Sequence, residues 1–305
     1  MPLFGKDITV GLEISGRVWR GVQLEHDQVR PRLLALETEE LPSNFPDALN
    51  TDGPIWKMAR SSRKSGRLVV NVPGSVAMIR KVKVEASEMG YLRDWVEWEA
   101  QQYLSGPLEE YFLDYQRLRS HDESGLWEVM LVIARREAIR ERTRLFEKVH
   151  LRPAIMDVDP LALQNAFEVN YPGAIDHPVA LVNLEGELVT LVATRQGVPE
   201  SATSLSLDPD TAKLSQQIQA GLADLLKQIA PANEENAQFV KVLLSGGGPH
   251  LQDVANFLAS QDELDVELAD PFRELAILPT LREKLDQTYH VPEFMLATGL
   301  ALRKA

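Results

Sequence analysis

The residues best placed to do chemistry are glycines and carboxylates at the ends of strand-like runs. Ser245-Gly246-Gly247-Gly248-Pro249 follows the apolar run Phe239–Leu244 and opens a helical pattern reaching about Leu258. Glycine has no Cβ to hold an anion away from the backbone N–H groups, and it tolerates positive φ. A helix N-terminus favours the same negative charge. The plainer reading is a tight strand–helix junction, with Ser245 as a turn residue rather than a nucleophile. Two other turns carry carboxylates or amides: Glu13-Ile14-Ser15-Gly16, with Arg17 and Arg20 after it, and Asn183-Leu184-Glu185-Gly186. An acid beside a phosphate-binding turn suits Mg²⁺, which prefers hard oxygen ligands. The six His are scattered, and there is no Cys. Thiolate zinc sites, iron–sulfur clusters, disulfides and a Cys nucleophile are therefore excluded. No P-loop or nucleophile elbow is present.

Each of these turns needs strands to aim it. Residues 8–14 and 17–25 alternate like two strands of a hairpin around Ser15-Gly16, and a third strand follows at 31–38. Residues 179–184 and 187–194 repeat that strand–Gly-turn–strand unit around Glu185-Gly186. Helices are expected at 55–64, 136–150, 159–169 and 211–229, and from Pro292 to the end. Ser87 reads as the N-cap of a long helix to about Leu104, with Tyr91, Trp95, Trp98 and Gln102 on one side of it. Strands are expected at 67–72, 76–84, 111–118, 126–134 and 153–158. Two related hairpins and a late strand–triple glycine–helix together form the layout of an actin-like nucleotide fold, in which the hairpin turns lay N–H groups on phosphates.

Composition sets the outer limits. The 305 residues hold 32 Lys+Arg against 45 Asp+Glu, a net charge of −13. That balance opposes bulk capture of nucleic acid, which needs clustered basic residues. The length and apolar content suit about two globular domains. No run approaches the length of a membrane span, and the first residues lack a basic segment followed by an apolar one. The cytoplasm is the expected compartment.

Several stretches resemble the PilM family, the actin-like cytoplasmic proteins of type IV pilus assembly, themselves similar to the division protein FtsA. The most specific are Trp98-Glu-Ala-Gln-Gln-Tyr103, Pro107-Leu-Glu-Glu110 and Leu113-Asp-Tyr-Gln116. Val72-Pro-Gly-Ser75, Met156-Asp-Val-Asp159, Leu244-Ser-Gly-Gly-Gly248, Asp270-Pro-Phe272 and Ala297-Thr-Gly-Leu-Ala-Leu-Arg303 match in the same order. The resemblance implies a duplicated, ribonuclease H-like α/β fold with an inserted FtsA-type subdomain and a reduced fourth subdomain. It divides the chain into a first actin-like subdomain (1–73 and 154–177), an inserted one (74–153), a second actin-like one (178–207 and 238–305) and a remnant (208–237). It implies a scaffold peripheral to the inner membrane that docks the N-terminal tail of PilN, a bitopic membrane protein, in a groove near the inserted subdomain. Trp95, Trp98 and Tyr103 mark that region, although core packing is the simpler use of a helical aromatic stripe. The pilus platform, its motor ATPases and a second copy of the chain are further implied partners, and ATP with Mg²⁺ is the implied cofactor.

The implied nucleotide site departs from the family pattern at both turns. The family shows Asp-Ile-Gly at each, where this chain has Glu13-Ile14-Ser15 and Asn183-Leu184-Glu185. Ser15 adds a Cβ, Gly16 lies one residue late, and Arg20 suits the place of the family's lysine. Asn183 is a poorer Mg²⁺ partner than aspartate. Glu185 puts a carboxylate where a triphosphate would sit, and two like charges within about 4 Å in a partly shielded site cost a few kcal/mol. The stretch between the second hairpin and Gly246 is also short, which leaves an adenosine poorly enclosed. Weak or absent ATP hydrolysis is the expectation. A working switch rebuilt from Gly16, Gly186, Gly246–Gly248 and Arg20 is the alternative. The type II secretion platform protein GspL, whose cytoplasmic part is similar, is a third reading. Lys57, Arg60, Arg63, Lys64 and Arg67 form a basic cluster whose plain meaning is a solvated helix face.

Overall fold

The computed structural model describes residues 7–27, 29–43, 52–119, 125–229, 238–261 and 264–303. Its first half opens with three antiparallel strands, β1 (Asp7–Ser15), β2 (Val18–His26) and β3 (Arg32–Glu40), then α1 (Pro54–Ser65) and β4 (Gly66–Val72). Pro54 starts α1, and Gly66 ends it by donating its N–H to Ser62. β4 runs parallel to β1. An inserted unit follows: β5 (Ala77–Glu85), α2 (Leu92–Gln101), β6 (Tyr111–Arg119), β7 (Leu126–Arg135) and α3 (Arg136–Lys148). Its strands form a separate sheet in the order β5-β7-β6. The chain then returns to the first sheet with β8 (Ile155–Val158), parallel to β4, and α4 (Asp159–Asn170).

The second half repeats the scheme. β9 (Val179–Glu185), β10 (Leu188–Arg195) and β11 (Val198–Ser206) form a meander, α5 (Thr211–Ile229) crosses over, and β12 (Lys241–Gly246) lies parallel to β9. α6 (Leu251–Ala259) and the short β13 (Val266–Leu268) complete this sheet, ordered β11-β10-β9-β12-β13. Beyond it come β14 (Ala276–Ile277), α7 (Pro279–Thr288) and α8 (Met295–Leu302). The duplicated α/β plan is the actin-like one.

Alternation along the strands explains the layers, because successive side chains point to opposite faces. Val10, Leu12 and Ile14 face α1 and α3, packing with Trp19, Trp56 and Phe146. Val22, Leu24 and Leu33 meet Phe294, Ala297 and Ala301 on the other face. On the second sheet, Val182, Leu184 and Leu191 face α5 and α6. Val179, Leu181 and Val192 instead join Ala162, Phe167, Met295 and Leu300. α4 and α8 are therefore a layer shared by both sheets. They touch so closely that a Cβ on Gly299 would lie 1.7 Å from the Ala162 carbonyl oxygen.

Three expectations need correction. α2 starts at Leu92, not Ser87; a 3₁₀ segment, Ala86–Tyr91, precedes it, and Tyr91 caps the helix without a side-chain bond. Gly90 disfavours an α-turn there, and short 3₁₀ pieces commonly fill such helix starts. Residues from Ala276 on were expected in the second half, yet β14 pairs with β3 and α8 packs on the first sheet. Burying Val22, Leu24 and Leu33 drives that return. The described part of 208–237 is no separate remnant either. α5 is the crossover helix of the second half, with Leu214, Ile218, Leu222 and Leu225 in its core. Only 207–210 separate it from β11. β11, β13, β14 and α7 were not foreseen. The side chains of Arg63 and Lys64, and all of Lys304, lie outside the described residues.

Candidate functional site

Pairing between strands builds the site first. Glu13 on β1 stands directly opposite Arg20 on β2, and directly paired residues share a sheet face. That is the face of Val22 and Leu24, turned toward the shared layer beyond the end of α8. Asn183 and Glu185 share a face with Val179 and Leu181, turned toward the same layer from the second sheet. The two hairpins therefore aim their acids into one cleft. Their tips nearly meet: a Cβ on Gly186 would lie 2.7 Å from Ser15 Oγ. Gly16 and Gly186 hold φ of 54° and 60°, values that suit glycine in tight hairpin turns.

Arg20 lies at the centre. Its guanidinium Nη1 is 2.9 Å from Glu185 Oε1 and 3.5 Å from Glu13 Oε1, and its Nε donates to Glu293 Oε2 at 3.2 Å. The other Glu185 oxygen, Oε2, accepts the Gly247 N–H at 3.2 Å. One carboxylate thus bridges the guanidinium of the first half and a backbone donor of the second. Burial pushes the Glu13 carboxyl well above its usual range; Glu185 adds to this and Arg20 partly offsets it. Neither Glu13 oxygen has a hydrogen bond. Burial also raises Glu185, but Arg20 and the Gly247 N–H oppose it. Burial alone would lower Arg20; Glu13, Glu185 and Glu293 outweigh it and raise it.

The glycine run is placed by β12. Gly246 has φ of 99°, and a Cβ there would lie 2.0 Å from the Leu184 carbonyl oxygen, so no other residue fits. A Cβ on Gly247 would lie 2.6 Å from Arg20 Nη2. Gly248 also has positive φ. Ser245 donates its hydroxyl to Asn183 Oδ1 at 2.9 Å, which makes Ser245 a structural partner. Asn183 is buried and engaged by that bond.

A cavity of about 1160 Å³ opens beside the hairpin tips, lined by Ser15, Gly16, Asn183, Glu185, Gly186 and Arg142, among others, but not by Arg20 or Gly246–Gly248. Its deepest acid is Asp159, at the start of α4. Asp159 accepts from Asn71 Nδ2 at 3.0 Å and from the Gly74 N–H at 3.2 Å. Burial raises its pKa to about 6 despite those bonds and the nearby Arg142. Asn71 also accepts the Ile14 N–H at 2.8 Å, which ties β4 to the first hairpin. Asn71, Arg142, Asp159 and Glu293 were not singled out from the sequence as site residues. Asp159 sits in a quoted motif and could have been; Glu293 has no local signal, since only the return of the C-terminal segment brings it here.

Two groups that could receive a phosphate here, the Arg20 guanidinium and the Gly247 N–H, face Glu185 instead. Glu185 holds both Arg20 and the Gly247 N–H, and three carboxylates surround one guanidinium. A triphosphate placed against Arg20 and the Gly247 N–H would have to displace the Glu185 carboxylate.

The aromatic candidates lie elsewhere. α2 buries Leu92, Val96 and Ala100, whereas Trp98 is 58% and Tyr91 71% exposed. Trp95 packs partly on the core of the inserted unit, and the Tyr103 hydroxyl donates to Glu99 at 2.5 Å. Core packing therefore explains Trp95 and not Trp98. A separate groove of about 310 Å³ runs between the inserted sheet and α4. Leu118, Met130 and Leu161 give it apolar walls, with Gln116, Gln164, Asn165 and Arg303 at its polar positions. The buried Gln164 Oε1 has no hydrogen-bond partner, whereas Asp157 Oδ2 is paired with Arg303 Nε at 3.4 Å.

Comparison with known proteins agrees with this architecture. A family model described as type IV pilus assembly protein PilM matches residues 47–196 and 179–305. Among solved structures, a PilM–PilN type IV pilus biogenesis complex is similar over 97% of this chain and 98% of that one, with 21% identity and a TM-score of 0.76. The cytoplasmic domain of EpsL, an inner membrane component of the type II secretion system of Vibrio cholerae, is similar over 98% of this chain and 96% of that one, with 10% identity and a TM-score of 0.50. Among the described residues, no helix is long and apolar enough to cross a membrane.

Proposed function

The chain belongs to the PilM family of type IV pilus assembly proteins, and we propose that it acts as a scaffold of the pilus machine at the cytoplasmic face of the inner membrane. There it docks the N-terminal tail of a PilN-like membrane protein and passes that contact on to the platform and its motor ATPases. The likeness to a PilM–PilN complex supports the partner. The observation that carries the reading is the groove between the inserted sheet and α4. Its apolar walls suit the side chains of an extended peptide. Gln164 Oε1 in the groove has no hydrogen-bond partner and suits a main-chain N–H or a basic side chain, because a buried polar atom without a bond is costly. The exposed Trp98 face is the competing docking place. The likeness to EpsL concerns the fold alone and gives no comparable support to a secretion role.

The cleft chemistry supports a scaffold with weak or no ATP hydrolysis, because its anion donors serve Glu185. The test is titration of the purified chain with a synthetic N-terminal peptide of the PilN-like protein from its own pilus machine. Met130→Glu and Leu161→Arg should weaken binding at least tenfold, and Trp98→Ala should leave it unchanged. Loss of binding in Trp98→Ala alone would move the site to α2. Absence of any binding by the intact chain would overturn the partner assignment.

A further inference from the structure

Arg20 is gripped by side chains from three separate stretches of chain. Glu13 comes from the neighbouring strand of its own sheet, Glu185 from the end of β9 in the other sheet, and Glu293 from the segment leading into α8. All but Glu293 are largely buried, and the Arg20 side chain is 5% exposed. Glu185 is the member that crosses between the halves, and it does so at two points: the guanidinium at 2.9 Å and the Gly247 N–H at 3.2 Å. A cationic fork and an amide freed of Cβ hindrance, converging on one pair of oxygens, make an oxyanion seat. The carboxylate has the charge and the two acceptors that such a seat selects.

We propose that Glu185 is a built-in anion that permanently fills the seat formed by Arg20 and the Gly247 N–H, so that the chain itself, and not a bound phosphate, clasps its two halves together. The sequence around it is consistent with this role. Arg20, unlike lysine, presents several donors and can hold Glu13, Glu185 and Glu293 together. Gly247 is pressed against Arg20 Nη2, where a Cβ would collide. Other ties span the same boundary, notably Lys81 Nζ of the inserted unit to Glu200 Oε1 of β11 at 2.6 Å. The second half is thus tied to the first by Glu185 and to the inserted unit by Glu200. The clasp rests on this geometry and not on the partner assignment, so failure of peptide docking would leave it standing.

The test compares the full-length wild type with Glu185→Ala, which vacates the seat, and Glu185→Gln, which keeps its shape without the charge. Inorganic phosphate and Mg-ATP are titrated calorimetrically, and amide hydrogen exchange is followed at residues 245–248. The wild type should bind neither ligand up to millimolar concentration. Glu185→Ala should bind phosphate at least tenfold more tightly than the wild type and exchange its Gly247 amide at least tenfold faster, with added phosphate slowing that exchange again. If Glu185→Ala does not fold, Glu185→Gln carries the test through faster exchange at Gly247. Micromolar binding of Mg-ATP or phosphate by the wild type would overturn the proposal. So would wild-type exchange at Gly247 in whichever variants fold.

Discussion

Arg20 shows how one residue can decide the character of a site. Its positive charge is the counterweight to three carboxylates, and removing one partner of a buried ion pair leaves the others uncompensated. Arg20→Ala should therefore destabilise the chain by about 3–5 kcal/mol in urea unfolding. Asp159 gives a pH signature. Its folded pKa of about 6 lies above the ordinary carboxylate value, so the folded state holds this proton more tightly than the unfolded chain does. That contribution is complete only below the ordinary carboxylate pKa of 3.8 and is lost as the pH rises through about 6. The groups facing it are Asn71, the Gly74 N–H, Arg142 and Asp157. Asp159→Asn cannot lose that proton. The stability of the variant minus that of the wild type should rise between pH 4 and pH 7 by on the order of 2–3 kcal/mol. A difference that stays flat across that range would contradict the burial of the carboxyl.

At the scale of the element, α2 separates packing from display. Leu92, Val96 and Ala100 form its buried stripe, and the aromatic stripe expected from the sequence lies around the side of the helix, with Trp98 in solvent. Leu92→Ala should cost about 2–5 kcal/mol, as for other buried leucines. Trp98→Ala should change stability by less than about 0.5 kcal/mol. Chemical denaturation of the two variants checks both, and a large loss from Trp98→Ala would return that ring to the core. The hairpins show the same division of labour. Their strands are buried on both faces, and apolar runs broken by a glycine turn are what made them readable. β13 and β14, of three and two residues, are too short to write any period.

At the scale of the whole molecule, the shared layer of α4 and α8 makes the two halves one body. Gly299 allows α8 to lie against the backbone of Ala162, and α8 in turn covers Val22 and Leu24 of the first sheet. Gly299→Ala should force the two helices apart and cost at least about 1–3 kcal/mol, the usual penalty for overpacking. The loss should appear as a lowered thermal midpoint of the entire chain, because both sheets use this layer. A variant that melts like the wild type would mean the helices can separate without consequence. The same layer fixes the depth of the cleft, since the acids of both hairpins project just past the end of α8.

By itself the sequence showed many of the elements and the turns that meet at the cleft. The two acid-bearing hairpins, the triple glycine after β12, and α1, α4 and α5 carry local signals: alternation, a first-turn proline, or a glycine that ends a helix. Glu13, Arg20, Glu185 and Gly247 could be named as one site because the duplicated pattern sets both turns facing each other. Tertiary structure alone decided what those residues do there. Whether Glu185 repels a phosphate or replaces it depends on where Arg20 and the Gly247 N–H sit, and they lie on different sheets. Glu293 joins them only because buried apolar surface draws the C-terminal segment back to the first half. The groove beside α4 is likewise made by surfaces far apart in the chain. Periodicity reports which face of an element is buried, and it is silent on which distant element does the burying.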